Sequence, residues 1–137
     1  MVPRGILDGR WILVVEDEAA IALDLQQALR DHGAIVIGPV AMVSEALAAI
    51  GKSTIDCALL DIKLGDDDVS AIAVTLEKLG VPMIFVTGYS DAKLPQGFEA
   101  HPIVLKPYAY RELLELITAV IGRATSSDSE GFASRCR

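Results

Sequence analysis

Aromatic residues are scarce in this 137-residue chain, at 5% with a single tryptophan, so any core must be built from aliphatic side chains. There are only two cysteines, Cys57 inside an apolar run and Cys136 beside the last residue. No disulfide framework or metal-ligand spacing can be drawn from them, and a reducing cytoplasm suits that usage. Positive charge is also short, with 12 Lys and Arg against 19 Asp and Glu and a net charge of −7. Contacts to a phosphate backbone need clustered Lys and Arg, so nucleic acid is not an expected partner. No apolar run reaches membrane-spanning length, and no basic, then apolar, then small-residue leader opens the sequence. A soluble, unexported protein without a membrane partner is expected.

The chain is 52% hydrophobic, which at this length supports one compact core. Five short apolar runs read as strands: Trp11 to Val15, Ala34 to Gly38, Cys57 to Leu60, Pro82 to Val86 and Pro102 to Leu105. Their near-continuous hydrophobicity, without polar alternation, predicts a parallel sheet covered on both faces. Helical spacing fills the gaps. Ile21, Leu25, Ala28 and Leu29 share one face, a shorter helix runs from Ser44 to Gly51, and Tyr110, Leu113, Leu114, Ile117 and Ile121 mark the last. A third helix, capped by Asp68, would turn Val69, Ile72, Leu76 and Leu79 inward. Between Ser90 and Ala100, Pro95 and Gly97 allow a fourth helix of a turn or two at most. The expected fold is α/β, a doubly wound five-stranded parallel sheet of flavodoxin-like form with strand order 2-1-3-4-5. The domain is placed at residues 10–122, between an N-terminal extension, 1–9, and a disordered tail, 123–137.

In such a sheet the residues just past the strand ends collect on one edge, where ligands bind. Glu16 and Asp17 follow the first strand, Asp61 ends the third, Thr87 and Gly88 follow the fourth, and Lys106 with Pro107 follows the fifth. Carboxylates brought that close repel each other unless a cation intervenes. Oxygen ligands without His or thiolate partners favour Mg2+. Asp17 and Asp61 are the expected direct ligands, the Lys63 backbone carbonyl a third, and Glu16 one acting through water. With that charge neutralised, the Asp61 carboxylate is a nucleophile suited to phosphorus. Lys106, the Thr87 hydroxyl and the Gly88 amide would cradle the phosphoryl oxygens. Taken singly these residues read as turn and cap chemistry, and only their register across the whole domain separates them from it. His32 and His101 have no ligand-spaced companion and are assigned to turns.

The order Glu16-Asp17, Asp61, Thr87-Gly88 and Lys106-Pro107 resembles the receiver domain of response regulators in two-component systems, over roughly residues 10 to 122. The resemblance implies an aspartate, Asp61, phosphorylated with Mg2+ by a sensor histidine kinase or histidine phosphotransfer protein. It further implies an unknown downstream protein target, a cytoplasmic monomer or weak dimer, and no enzymatic activity beyond the domain's own phosphotransfer and dephosphorylation. Phe85-Val86-Thr87-Gly88-Tyr89 resembles the FATGUY subgroup, in which single-domain members are common, with Val86 replacing the usual alanine. Ile103 stands where most receivers carry an aromatic switch residue, so Thr87 and Tyr89 become the candidate switch. The loop Ile62-Lys63-Leu64-Gly65 lacks the family's usual proline, and Gly65 leaves it more adaptable. Two other readings are an unphosphorylated pseudo-receiver serving as an interaction module and a phosphate sink for a shared kinase. A phosphatase with an aspartyl nucleophile would want an acid where Lys63 stands.

Overall fold

The computed structural model describes residues 5–65, 67–88 and 94–130. Five strands form one parallel sheet: β1 (Trp11–Val15), β2 (Ile35–Val40), β3 (Cys57–Asp61), β4 (Met83–Thr87) and β5 (Ile103–Leu105). Their order across the sheet is β2-β1-β3-β4-β5, as expected, and every neighbouring pair is parallel. Among the described residues four helices cover it: α1 (Ala19–Asp31), α2 (Val43–Lys52), α3 (Ser70–Lys78) and α4 (Tyr110–Glu130). The segment after β3 adds a small antiparallel ladder, Lys63–Leu64 against Asp67–Asp68, which the sequence patterns did not suggest.

Alternate residues of each central strand point to opposite faces, and two apolar clusters result. Leu25 and Leu29 of α1 and Leu113, Leu114 and Ile117 of α4 cover Ile12, Val14, Leu59, Ile84 and Val104. Ala46 and Ile50 of α2 and Ile72, Ala73 and Leu76 of α3 cover Leu13, Val15, Ala58, Leu60 and Phe85. With both faces sealed, the central strands β3 and β4 are buried along their full length.

Several boundaries depart from expectation for local reasons. β2 runs on to Val40 because Gly38, at φ 97°, lets the strand slip its register against β1 between Leu13 and Val15. A Cβ on Gly38 would stand 2.9 Å from the Val14 carbonyl oxygen, so only glycine fits. Asp68 belongs to the small ladder, and the residue preceding α3 is the buried Val69, which makes no side-chain cap. Leu79, expected to face inward, lies past the end of α3 and is 59% exposed. No helix occurs in residues 94–102, whose turns are anchored by buried Phe98, edge-on to Phe85 at 6.2 Å. Residues 90–93, the first part of the segment expected to hold the fourth helix, lie outside the described residues. Of the expected N-terminal extension, residues 5–9 are described, and Leu7 among them is packed into the domain: it is 1% exposed, and its N–H donates to the His32 carbonyl at 2.9 Å. The tail expected to be disordered from residue 123 is helical through Glu130, since no proline or glycine interrupts α4 between Gly122 and Gly131.

Candidate functional site

The carboxyl ends of β1, β3, β4 and β5 meet at one edge. The re-registered end of β2 fixes Glu16, whose N–H donates to the Val40 carbonyl at 2.9 Å. Asp61 closes β3, and the following N–H, from Ile62, donates to the Val86 carbonyl of β4 at 3.0 Å. Lys106 leaves β5 donating its backbone N–H to the Thr87 carbonyl at 2.8 Å, so the tips of β4 and β5 are joined where the hydroxyl and ammonium residues sit. Glu16, Asp61 and Thr87 are the buried polar residues among those described, at 5%, 7% and 2% exposure. Buried charges persist only when paired or hydrogen-bonded, and here they are both.

The Lys106 ammonium is the hub. Its Nζ lies 2.9 Å from Glu16 Oε1, 3.0 Å from Glu18 Oε1 and 3.0 Å from Asp61 Oδ2. The second oxygens of the two buried acids are also engaged: Glu16 Oε2 accepts from the Glu18 N–H at 3.1 Å and Asp61 Oδ1 from the Lys63 N–H at 3.1 Å. Burial raises the Glu16 carboxyl to about 6, against the lowering effect of its bonds to Lys106 and the Glu18 backbone, with nearby Asp61 adding to the rise. Burial disfavours the Lys106 ammonium, but its hydrogen bonds to Glu16, Asp61 and Glu18 outweigh this and hold it above its ordinary value.

An open cleft of about 410 Å³ lies over these groups, lined by Asp17, Glu18, Asp61, Lys63, Gly65, Gly88 and Lys106. Asp17 stands on its exposed side and accepts from the Gly65 N–H at 2.9 Å, which ties the loop after β3 back to the end of β1. Carboxylate oxygens of Glu16, Glu18 and Asp61 lie within 4.8 Å of one another. All three share the Lys106 ammonium, so the hard-oxygen donors open to a Mg2+ ion are those of Asp17 and Asp61 on the cleft. Glu16, Asp61, Thr87, Gly88 and Lys106 therefore lie at one edge of the sheet, with Asp17 and Lys63 on the cleft wall, whereas Tyr89 lies outside the described residues.

Glu18 was missed. It follows Asp17 in extended backbone, φ −86° and ψ 106°, and alternation carried past the strand end sets residues 16 and 18 on one side and 17 on the other. His32 Nδ1 meets the Ala28 carbonyl at 2.9 Å, and His101 stands 3.8 Å from Glu77. Neither histidine joins the site. Cys57 is buried, and burial pushes its thiol above the ordinary value.

Residues 12–118 match the response regulator receiver domain, and the chain belongs to that family. Among its relatives, the sensory transduction protein RegX3 of Mycolicibacterium smegmatis is 35% identical over 127 residues, covering 88% of this chain and 54% of RegX3. The chain spans about half the length of the curated relatives it matches. Among solved structures, SdrG from Sphingomonas melonis superposes with a TM-score of 0.72 at 32% identity, covering 82% of this chain and 96% of SdrG. TrrA from Thermotoga maritima, solved in complex with Mg(2+)-BeF, gives a TM-score of 0.69 at 25% identity, covering 81% of this chain and 98% of TrrA. Receiver domains are regulatory modules whose acidic site binds Mg2+ and which interact with histidine kinases and downstream targets. Among the described residues, no helix is long and apolar enough to cross a membrane.

Proposed function

We propose that this chain acts as a single-domain response regulator: Asp61 accepts a phosphoryl group from the phosphohistidine of a sensor kinase or phosphotransfer protein, and the product switches binding to a downstream protein. The observation that carries this reading is the buried Asp61 carboxylate held 3.0 Å from Lys106 Nζ at the floor of an open cleft.

An Asp61 carboxylate oxygen attacks phosphorus as the bond to the histidine nitrogen breaks, the imidazole keeps the electron pair, and an acyl phosphate forms. Lys106 donates to one phosphoryl oxygen, and the Thr87 hydroxyl and Gly88 amide to the others. A Mg2+ ion would be held by Asp17, Asp61, the Lys63 carbonyl and, through water, Glu16; it supplies neutralisation of the transferring charge. Thr87 and Tyr89 carry the change outward. The test is incubation with a small phosphodonor and Mg2+, followed by intact-mass measurement. The wild type is expected to gain one phosphoryl group and Asp61→Asn none; labelling of Asp61→Asn equal to wild type would exclude Asp61 as the acceptor.

A further inference from the structure

The Lys106 ammonium has three N–H donors. Each has a carboxylate partner, in Glu16, Glu18 and Asp61. The three partners differ in what it costs to lose them. The side chains of Glu16 and Asp61 are 4% and 9% exposed, and stripping a buried carboxylate of its cation leaves an uncompensated charge. Glu18 is 61% exposed, and although it is the cap residue of α1, its side chain makes no capping bond. Water can replace Lys106 around Glu18 at little cost.

A phosphoryl oxygen arriving on Asp61 needs one of those donors. We infer that Glu18 is a positioning residue: it holds Lys106 in the three-carboxylate junction while Asp61 is unmodified, and it is the carboxylate Lys106 releases when Asp61 carries a phosphoryl group. This rests on the reading of Asp61 as the phosphoacceptor. Glu18 therefore competes with the phosphoryl oxygen for the ammonium, and its negative charge opposes the phosphorylated state.

The test is calorimetry of the whole chain, wild type and Glu18→Gln, with Mg2+ alone and with beryllofluoride as the phosphoryl mimic at saturating Mg2+. Glu18→Gln should bind beryllofluoride about two- to five-fold more tightly, the scale of one exposed ion pair. Its affinity for Mg2+ alone should stay the same. In the wild type, the Glu18 side-chain carboxyl carbon signal should move on beryllofluoride addition to the position of a solvated glutamate, a change that a purely structural role would not produce. Unchanged or weaker beryllofluoride binding by Glu18→Gln overturns the inference, and so does a several-fold loss of Mg2+ affinity, which would assign Glu18 to the metal instead. Failure of the wild type itself to bind beryllofluoride would remove the phosphoacceptor reading along with it, whereas equal binding by both proteins removes the role of Glu18 alone.

Discussion

Glu16 and Glu18 are two residues apart and touch the same ammonium, yet the Glu16 side chain is buried and that of Glu18 is exposed. Glu16, driven up to about 6 by burial, binds a proton more tightly in the folded chain than the ordinary value of 4.5 allows. The folded state then holds more protons than the unfolded one between those two values, so this group's contribution to stability falls as pH rises through that window. Urea unfolding in a chelator should show that slope reduced in Glu16→Gln relative to wild type; identical pH profiles would contradict it. The residue scale is also where sequence reasoning reached its limit. Asp61, Thr87 and Lys106 were legible because each closes or leaves an apolar strand. Glu18 was not, because the side on which a loop residue points depends on backbone angles that follow from the turn into α1. The same alternation explains why Asp17 lies on the exposed wall, bonded to Gly65.

Apolar runs and helical spacing were enough to place the strands and the buried stripes of α1 and α4, because those elements obey a single period. Sequence reasoning fell short where a tertiary contact overrides local signals. Leu7 lies in a stretch that reads as an extension, and nothing local reveals that its side chain closes the cluster beneath α1 and α4. Leu7→Ala should cost about 2–4 kcal/mol in equilibrium unfolding, the usual penalty for emptying a fully buried leucine site. A change below about 0.5 kcal/mol, the range of ordinary surface substitutions, would show that this segment does not contribute to the core. Phe98 performs the matching task on the other face, where residues 94–102 form turns instead of the short helix anticipated.

Across the whole molecule, the charged groups of the site come from the ends of three strands held in one sheet, so their mutual repulsion is a term in global stability. Lys106→Met should destabilise the domain by about 3 kcal/mol in the absence of divalent ions, because it leaves Glu16 and Asp61 buried without a cation. Mg2+ should recover part of that loss by binding the folded state only. Thermal melts with and without Mg2+ measure both effects, and a larger Mg2+-induced rise in Tm for Lys106→Met than for wild type is the expected outcome.

Trp11 begins the strand whose far end leads into Glu16, and it is the sole tryptophan. Strand rise puts the two roughly 16 Å apart, at opposite edges of the sheet. Indole emission should therefore report unfolding and stay blind to events over Asp61. An optical assay of the site would need a reporter brought to its own rim; Tyr110, 37% exposed in the neighbouring groove that shares Glu18 and Lys106, is a position where an introduced fluorophore would sit close to the chemistry.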